Sequence, residues 1–262
     1  MDRMISAAMD DILTGLRMRR VWIAIASEDI GDQHRRTALG PLWLLLNYLI
    51  YVGAFVLIFG LHSPVHNFPA YVSVGMLVWL FLQEVVILGV TLFSREENFI
   101  QGTTLPLSVY VLKLTMQSLI RTGYAALGCL AILLLTGTMP TLSWLWSLLG
   151  IIQIVLTIPA AIIVFAIAGA FFPDLQFIVS NLMRVGMFLT PIFWVYGGSG
   201  GFRDRLYQWN PFTHFIEIVR LPITEGQVPV HSFAICFFIA AALWIMGILL
   251  LGKFRKQIVF VL

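Results

Sequence analysis

The chain alternates between long apolar runs and short polar segments, and six of the apolar runs are long enough to cross a membrane. A transmembrane helix needs about 20 consecutive, mostly apolar residues. The six runs therefore predict an all-α integral membrane protein with six transmembrane helices. Their approximate bounds are Pro41 to Gly60, Ala70 to Phe93, Ser108 to Thr136, Leu142 to Phe172, Leu175 to Tyr196 and Ser232 to Gly252.

The segment before the first run, residues 1–34, is polar but patterned. Its apolar residues recur at helical spacing, so they share one face of a helix. An ordinary solvated helix would fit this pattern. An amphipathic helix on the cytoplasmic membrane surface is favoured, because the segment leads directly into a span. The apolar residues are Ile5, Met9, Ile12, Leu16, Ile23, Ala26 and Ile30.

The change from polar to apolar is abrupt at the first span. Arg35 and Arg36 are followed by Gly40-Pro41 and then by Trp43. Arginine favours the side of the anionic leaflet, proline begins a helix without losing a needed N–H group, and tryptophan lies at the headgroup level. This order predicts a cytoplasmic start for the first span.

The composition leaves little sequence for a soluble domain. Of the residues, 60% are hydrophobic and 11% are charged, whereas soluble domains carry roughly a quarter charged residues. We therefore expect one transmembrane domain over residues 1–262, with spans one to five within 41–196 and the sixth at 232–252. No early apolar core follows the start, so no cleavable signal peptide is expected. Cys129 and Cys236 lie in apolar runs and are expected to be small packing residues.

The orientation follows from the placement of Lys and Arg, which favour the cytoplasmic side. The N-terminal segment and the C-terminal tail are both basic, and the loops 61–69 and 137–141 contain neither residue. Both termini are therefore expected to be cytoplasmic. The segment 197–231 is an exception, since it places three arginines on the far side.

This segment also departs from the pattern of a plain loop. A Gly/Ser-rich turn is followed by the amphipathic stretch 202–209, and Asn210-Pro211 then begins a second helix. Neither piece is long enough to span the bilayer. Two short re-entrant helices in the outer leaflet are therefore favoured over an extracytoplasmic loop.

A further polar segment lies between the second and third spans. Ser94 and Glu97 have the spacing of a capping box, which predicts a short helix that ends near Gly102. A charged helix along the cytoplasmic side is either a solvated connector or a docking surface for a cytoplasmic partner. Both alternatives remain open.

Three ionisable residues, Glu84, Arg121 and Arg184, are taken to lie inside the spans, and Lys113, near the start of the third span, is counted with its basic flank. A charge at this depth normally faces a partner or water. Glu84 is therefore expected to pair with Arg121 or Arg184, either to hold helices together or to serve transport. A single acid does not form a proton relay. No nucleophile–base set, metal cluster or phosphate-binding glycine loop is recognisable, so the chain is predicted to be no enzyme and to bind no metal or cofactor itself.

Aromatic residues make up 13% of the chain, and most of them suit membrane interfaces or packing. The group around Pro191 is denser than an interfacial belt needs. Because aromatic faces stack on the apolar C–H faces of sugar rings, some of these residues are candidates for lining a glycan channel. The candidate channel aromatics are Trp43, Trp79, Phe188, Phe193, Trp194 and Tyr196.

Four motifs together resemble the permease subunit of type-2 ABC exporters, which move polysaccharides such as lipid-linked O-antigen across the inner membrane. The resemblance covers nearly the whole chain. It departs from the family at Pro173, where an arginine usually precedes the aspartate. The motifs are Arg35-Arg36-Thr37-Ala38-Leu39-Gly40-Pro41-Leu42-Trp43, Pro173-Asp174-Leu175, Thr190-Pro191-Ile192-Phe193, and Asn210-Pro211-Phe212 with Glu217-Ile218-Val219-Arg220.

The resemblance implies a homodimer in the bacterial inner membrane, with a channel between the protomers and a pair of ATPase subunits that bind ATP and Mg. It implies no nucleic-acid partner. Residues 1–34 would be an interface helix and 202–225 two gate helices, and Arg35 and Arg36 would lie at the entrance for a lipid-diphosphate headgroup. The implied ATPase-coupling residues are Arg95, Glu96, Glu97 and Asn98, and the implied gate residues are Arg203, Trp209, Phe212, Phe215, Glu217 and Arg220.

The leading function is thus the export of a lipid-linked polysaccharide, with ATP hydrolysis by a separate chain. A type-2 exporter of capsule, teichoic acid or a drug is the near alternative. An integral-membrane enzyme acting on polyprenyl-linked sugars would need a cluster of carboxylates, whereas Asp174 stands alone and Glu96-Glu97 lacks a second pair. A secondary carrier is disfavoured because no internal repeat or broken helix pair is recognisable.

Overall fold

The computed structural model describes residues 2–35, 37–62, 65, 67–195 and 201–261. This part of the chain contains helices and no β-strand, which confirms the all-α prediction. The helices are α1 (Asp2–Arg17), α2 (Arg19–His34), α3 (Leu42–Phe59), α4 (Phe68–Val90), α5 (Leu92–Arg95), α6 (Glu97–Gly102), α7 (Leu107–Leu135), α8 (Trp144–Phe171), α9 (Leu175–Leu189), α10 (Phe202–Trp209), α11 (Pro211–Thr224) and α12 (Val230–Val261), with a 3₁₀ turn at Gly60–His62.

Five helices, α3, α4, α7, α8 and α12, are long and apolar enough to cross a membrane. They coincide with predicted spans one to four and six. The predicted fifth span is shorter in the structure, because α9 has 15 residues and ends at Leu189. Thr190 is extended, as expected for a residue before a proline. A helix of this length falls short of the about 20 residues that a crossing needs, so the six-span count is not confirmed.

Helix α4 is the centre of the bundle. Of its most apolar window, 67% is buried, against 11% for α3 and 17% for α12. It packs against α7, α8, α9 and α11. Near the end of α4 its backbone touches that of α8, because a Cβ atom added to Gly169 would overlap the Val90 carbonyl. Small residues permit such close helix contacts in membranes, and this contact holds α8 against α4.

The N-terminal arm, α1 and α2, bends at Met18 and lies against α7 and α12. Asp11 accepts hydrogen bonds from the backbone N–H groups of Leu107 at 3.3 Å and Ser108 at 3.0 Å, so it caps the first turn of α7. The Ser108 hydroxyl donates to the Asp11 carbonyl at 2.6 Å. Gly15 permits this approach, since a Cβ there would collide with the Ser108 hydroxyl. The predicted N-terminal helix is thus docked on the bundle by specific polar contacts.

Helix α11 lies inside the bundle. Residues 213–220 are all buried, and the helix packs against α4, α8 and α12. Asn210 caps it by accepting a hydrogen bond from the Phe212 N–H at 3.0 Å, as the Asn-Pro motif predicts. Helix α8 makes room with Gly150, where an added Cβ would lie 2.7 Å from the Ile218 carbonyl oxygen. The second short helix is therefore present, and its immediate neighbours are the long helices.

Candidate functional site

A cleft of about 590 Å³ opens between α3, α4 and α7, and we call it the polar cleft. Its walls combine apolar side chains with Tyr48, Tyr51 and a group of polar side chains. Such a mixture suits an amphiphile, because apolar and aromatic walls bind C–H surfaces while amides and charges orient polar groups. The polar lining residues are Gln33, Asn47, Gln83, Glu84, Arg95, Arg121 and Thr122.

Glu84 and Arg121 form an ion pair in the polar cleft, with Arg121 Nη1 2.7 Å from Glu84 Oε1. Ser118 donates to the same carboxylate oxygen at 2.8 Å, and Arg121 Nη2 donates to Gln33 at 3.3 Å. Of the two partners that the sequence left open for Glu84, the structure selects Arg121. Arg184 is exposed on α9 and forms no ion pair with any described residue.

This pair is one end of a polar ladder along α7, formed by Lys113, Gln117 and Arg121. The three residues are four apart, so they share one face of the helix. Lys113 Nζ lies 2.7 Å from Glu96 Oε1 and 3.1 Å from Asp29 Oδ2. Gln117 donates to the same Asp29 oxygen at 2.6 Å. The ladder therefore joins α2, α7 and the junction of α5 and α6 in one network.

Sequence reasoning missed this ladder because it treated Lys113 as a basic flank of the third span. In the structure only 9% of the Lys113 side chain is exposed. The available signal was the four-residue spacing of Lys, Gln and Arg in an otherwise apolar helix. That spacing identifies a polar face, but it does not identify the element that covers the face.

The segment between α4 and α7 is not the single helix that the capping-box spacing predicts. It forms two short helices that meet at Glu96, and Ser94 caps neither of them. The reason is tertiary, because the Glu96 carboxylate turns inward to the polar ladder. Glu97 is half-buried and Asn98 is exposed. Phe99, which the sequence analysis did not single out, is 63% exposed.

Arg95, another predicted coupling residue, lines the polar cleft, and its Nη2 donates to the Leu88 carbonyl at 3.3 Å. Burial lowers the pKa of Arg95 from its ordinary value, while Glu96 raises this pKa and Arg121 lowers it. An arginine keeps its charge at neutral pH. The cleft therefore holds two guanidinium groups against the single carboxylate of Glu84.

Arg220 is completely buried near the other end of α4. Its guanidinium forms an ion pair with Glu217, donates to the Pro191 carbonyl at 2.6 Å, and lies 3.8 Å from the centre of the Tyr71 ring. The Tyr71 hydroxyl donates to the Trp194 carbonyl at 3.1 Å. Together these contacts hold the irregular segment after α9 against α4 and α11.

Two of the sequence motifs meet at this buried cluster. Asn210 Nδ2 donates to Thr190 Oγ1 at 2.8 Å, which ties the start of α11 to the end of α9. Glu217 and Arg220, predicted as gate residues, have exposures of 2% and 0%. In this structure they position backbone segments inside the bundle and have no surface to offer a cargo.

The other predicted gate residues differ in exposure. Arg203 and Trp209 are exposed on α10, Phe212 is half-buried and Phe215 is buried. Phe212 packs edge-on against Trp79, with ring centres 5.4 Å apart. Trp79 is fully buried, so this predicted channel aromatic is a core residue in the structure, because α4 is enclosed by its neighbours.

Aromatic side chains near the end of α9 assemble with residues of α3. Phe193 stacks on Phe55 and Phe59, with ring centres 5.1 and 5.3 Å apart, and Phe188 meets it edge-on at 5.8 Å. Phe59, Phe188, Phe193 and Trp194 line a cleft of about 420 Å³, which we call the aromatic cleft. Three of the predicted channel aromatics therefore share one surface.

Two predicted positions, Arg36 and Tyr196, lie outside the described residues. The Arg35 side chain is 82% exposed after α2, with Nη1 3.6 Å from Asp32 Oδ1. Trp43 is 40% exposed at the start of α3. The entrance role of the two arginines and the channel role of Trp43 and Tyr196 remain predictions.

This chain is similar in sequence to known proteins. Two Klebsiella pneumoniae proteins described as "O-antigen export system permease protein RfbA" are each 23% identical over 239 residues, which cover 90% of this chain and 92% of theirs. A Myxococcus xanthus protein of the same description is 27% identical over 179 residues, covering 66% of this chain and 68% of its own. The family model for ABC-2 type transporters matches residues 20–223. That match covers well over half of the chain and includes the residues of both clefts and of the polar ladder, so this chain belongs to the ABC-2 type transporter family.

Proposed function

We propose that this chain is the channel-forming membrane subunit of an ATP-driven exporter of a lipid-linked polysaccharide of the O-antigen kind. The polar cleft carries the proposal. Tyr51, which is 51% exposed, and the amides of the cleft suit sugar rings and hydroxyls, and its two arginines against one carboxylate suit a lipid diphosphate. Family membership and the names of the relatives support the same reading. The chain itself performs no covalent chemistry in this role.

In the proposed arrangement the chain crosses the bacterial inner membrane six times, with both termini cytoplasmic. Helix α9 and the residues after it make the fifth crossing, and α10 and α11 are re-entrant. The basic N-terminal arm and tail support this orientation. A second copy packs on α3 and α9, whose outward apolar residues include Leu57 at 78% and Phe177 at 64% exposure. The aromatic cleft is lined by the ends of these two helices, by the segment after α9 and by α10, so such a homodimer would place it along a channel.

The ATPase subunits, which hold ATP and Mg, dock in this proposal on Glu97, Asn98 and Phe99. An exposed aromatic side chain among polar ones is typical of an interface anchor. Glu96 connects this surface to the rest of the bundle, because it forms an ion pair with Lys113 of α7. Lys113 also forms an ion pair with Asp29 of the N-terminal arm. Movement of the ATPase would thus reach both α7 and α2.

We expect Phe99→Ala to weaken ATPase binding by about tenfold or more, since loss of an interface hot spot costs about 2 kcal/mol. Titration of the purified permease with its ATPase measures the affinity. Phe172→Ala is the matched control, because Phe172 is 70% exposed in the turn after α8, on the same proposed side. Equal affinities for the two variants would remove the docking assignment.

We expect Arg35→Ala combined with Arg36→Ala to reduce export by about thirtyfold, because each guanidinium near an anionic headgroup contributes about 1 kcal/mol. Cell-surface glycan measures export, and size-exclusion chromatography measures assembly, which should not change. Lys253→Ala with Lys256→Ala removes two charges from the exposed tail and is the control. Normal surface glycan in the arginine variant would contradict the entrance role.

Reconstitution tests the proposed function as a whole. The chain is purified with its ATPase partner and placed in lipid vesicles, and ATP hydrolysis is measured with a lipid-linked glycan or with the same glycan freed of lipid diphosphate. Stimulation and transfer are expected only for the lipid-linked form. If no ATPase associates, or if only a drug or a lipid-linked teichoic acid stimulates hydrolysis, the proposal is wrong.

A further inference from the structure

A third cavity, of about 350 Å³, lies under the N-terminal arm, apart from the polar and aromatic clefts. Residues of α1 and α2 cover it, and residues of α7, α8 and α12 form its floor. Val111 and Ile163 on the floor are buried, whereas Leu16 and Leu156 at the rim are 48% and 63% exposed. The cavity is therefore closed by packed helices on one side and open to the surroundings of the bundle on the other.

The surface of this cavity is hydrocarbon, although four of its lining side chains carry hydrogen-bond donors. Each of these donors is already bonded to a backbone carbonyl of the protein. A cavity with no free donor suits an alkyl chain and offers nothing to a polar ligand. In each pair the first side chain donates to the backbone carbonyl of the second residue: Trp22 to Gly15 at 3.2 Å, Trp244 to Leu156 at 3.0 Å, Ser108 to Asp11 at 2.6 Å and Thr115 to Val111 at 2.8 Å.

A group of arginines adjoins the cavity. Arg17, Arg19 and Arg20 occupy the bend between α1 and α2, and all three are exposed. Arg19 precedes Trp22 by three residues, so both lie on one face of α2, and Arg17 directly follows Leu16. No ion pair joins these arginines to an acidic side chain in the described part of the chain.

We propose that this cavity binds an acyl chain of an anionic phospholipid whose phosphate lies against Arg17, Arg19 and Arg20. The hydrocarbon surface receives the chain, and the unpaired guanidinium groups receive the headgroup. A zwitterionic phospholipid would place a cationic amine among the same arginines, so it is disfavoured. The occupant is a lipid of the surrounding leaflet and not the exported cargo; the inference uses only the cytoplasmic orientation from the proposed function.

The bound lipid would reinforce the docking of the N-terminal arm. Trp22 bonds across the bend to Gly15, and Ser108 in the cavity wall bonds to Asp11, the residue that caps α7. A chain packed between these side chains holds the arm and α7 together. An anionic lipid is therefore expected to stabilise the arm in its docked position.

Tryptophan quenching tests the site, because Trp22 and Trp244 line the cavity. The permease–ATPase complex is placed in vesicles of phosphatidylethanolamine and phosphatidylglycerol, with bromine on the acyl chains of one lipid or the other. The quenching due to Trp22 is the difference between the parent and Trp22→Phe. Half-maximal quenching is expected at an about fivefold lower mole fraction of brominated phosphatidylglycerol than of brominated phosphatidylethanolamine. One favourable arginine contact with an anionic headgroup would produce a difference of about this size.

Matched variants assign this preference to the proposed groups. Arg19→Gln with Arg20→Gln should remove most of the preference for the anionic lipid, whereas Arg203→Gln with Arg205→Gln, on exposed residues of α10, should keep it in full. Native mass spectrometry of the same complexes counts retained lipid independently of tryptophan. One phosphatidylglycerol per protomer is expected in the parent.

A cavity-filling pair tests the acyl-chain position by the same mass measurement. Leu112→Trp should lose the retained lipid, and Leu149→Trp, at a position 50% exposed on α8, should keep it. Equal quenching by the two lipids in the parent, or an arginine variant that behaves like its control, overturns the proposal. If Trp22→Phe fails to fold, the lipid preference in mass spectrometry decides. A complex that binds this lipid but transports no glycan would refute the proposed cargo and leave this site standing.

Discussion

Replacing Lys113 with methionine is expected to lower the free energy of unfolding by about 3 kcal/mol, because breaking a buried ion pair leaves uncompensated charge inside the protein. The change leaves Glu96 and Asp29 facing each other without the ammonium that lies 2.7 and 3.1 Å from their oxygens. The Asp29 side chain is 38% exposed and water screens it in part, which places the effect at the low end for a buried pair. Thermal unfolding of the purified permease in detergent measures the loss.

A variant in which Lys113, Glu96 and Asp29 are all neutral provides the informative comparison. Lys113→Met combined with Glu96→Gln and Asp29→Asn should recover most of the lost stability, since removing every charge costs less than orphaning two carboxylates. Stimulation of ATP hydrolysis by cargo is expected to stay low in that variant, because the charged link from α6 to the N-terminal arm is gone. Lys256→Met, on the exposed tail, is the control. If Lys113→Met unfolds at the same temperature as this control, the ladder does not hold these elements together.

Replacing Arg220 with methionine is expected to have the largest effect of a single substitution, about 3–5 kcal/mol, and to prevent recovery of a folded permease. Arg220 is completely buried, and Glu217 beside it is 2% exposed. The substitution removes the ion pair with Glu217, the 2.6 Å hydrogen bond to the Pro191 carbonyl and the contact with the Tyr71 ring. Membrane-inserted yield and monodispersity in detergent measure the outcome.

Conservative variants separate charge from geometry at this cluster. Arg220→Lys is not expected to rescue folding, because a single ammonium cannot bond Glu217 and the Pro191 carbonyl while also covering an aromatic ring. Arg220→Met with Glu217→Gln should recover part of the yield, since no charge is then left unpaired. Arg203→Met, at an exposed position on α10, is the matched control. A normal yield of Arg220→Met would contradict the structural role assigned to this arginine.

The two networks anchor the two ends of α4. The polar ladder, together with Glu84, ties the end near α5 to α7 and α2, and the cluster around Arg220 ties the beginning to α11 and the segment after α9. Helices in a membrane gain little from burying apolar surface against one another, because lipid is equally apolar. Polar contacts and close packing at small residues such as Gly169 therefore decide how these helices are placed.

Two places show what the apolar and capping patterns leave out. The predicted fifth span runs through Thr190 and Pro191 because the residues on both sides are apolar, but helix α9 itself ends at Leu189, before the proline. The capping-box spacing at Ser94 predicted one helix. In the structure Glu96 interrupts it, because its carboxylate bonds to Lys113, 17 residues further along.

The sequence by itself determined the class of this protein. Long apolar runs, basic flanks and the Asn210-Pro211 cap are local properties, and they predicted an all-α membrane protein with a capped short helix before the last span. Only the tertiary structure decided that Lys113 lies between Glu96 and Asp29, that Arg220 is buried, and that Trp79 belongs to the core. The physical reason is that helical periodicity defines a face, whereas the partner of that face depends on how the helices pack.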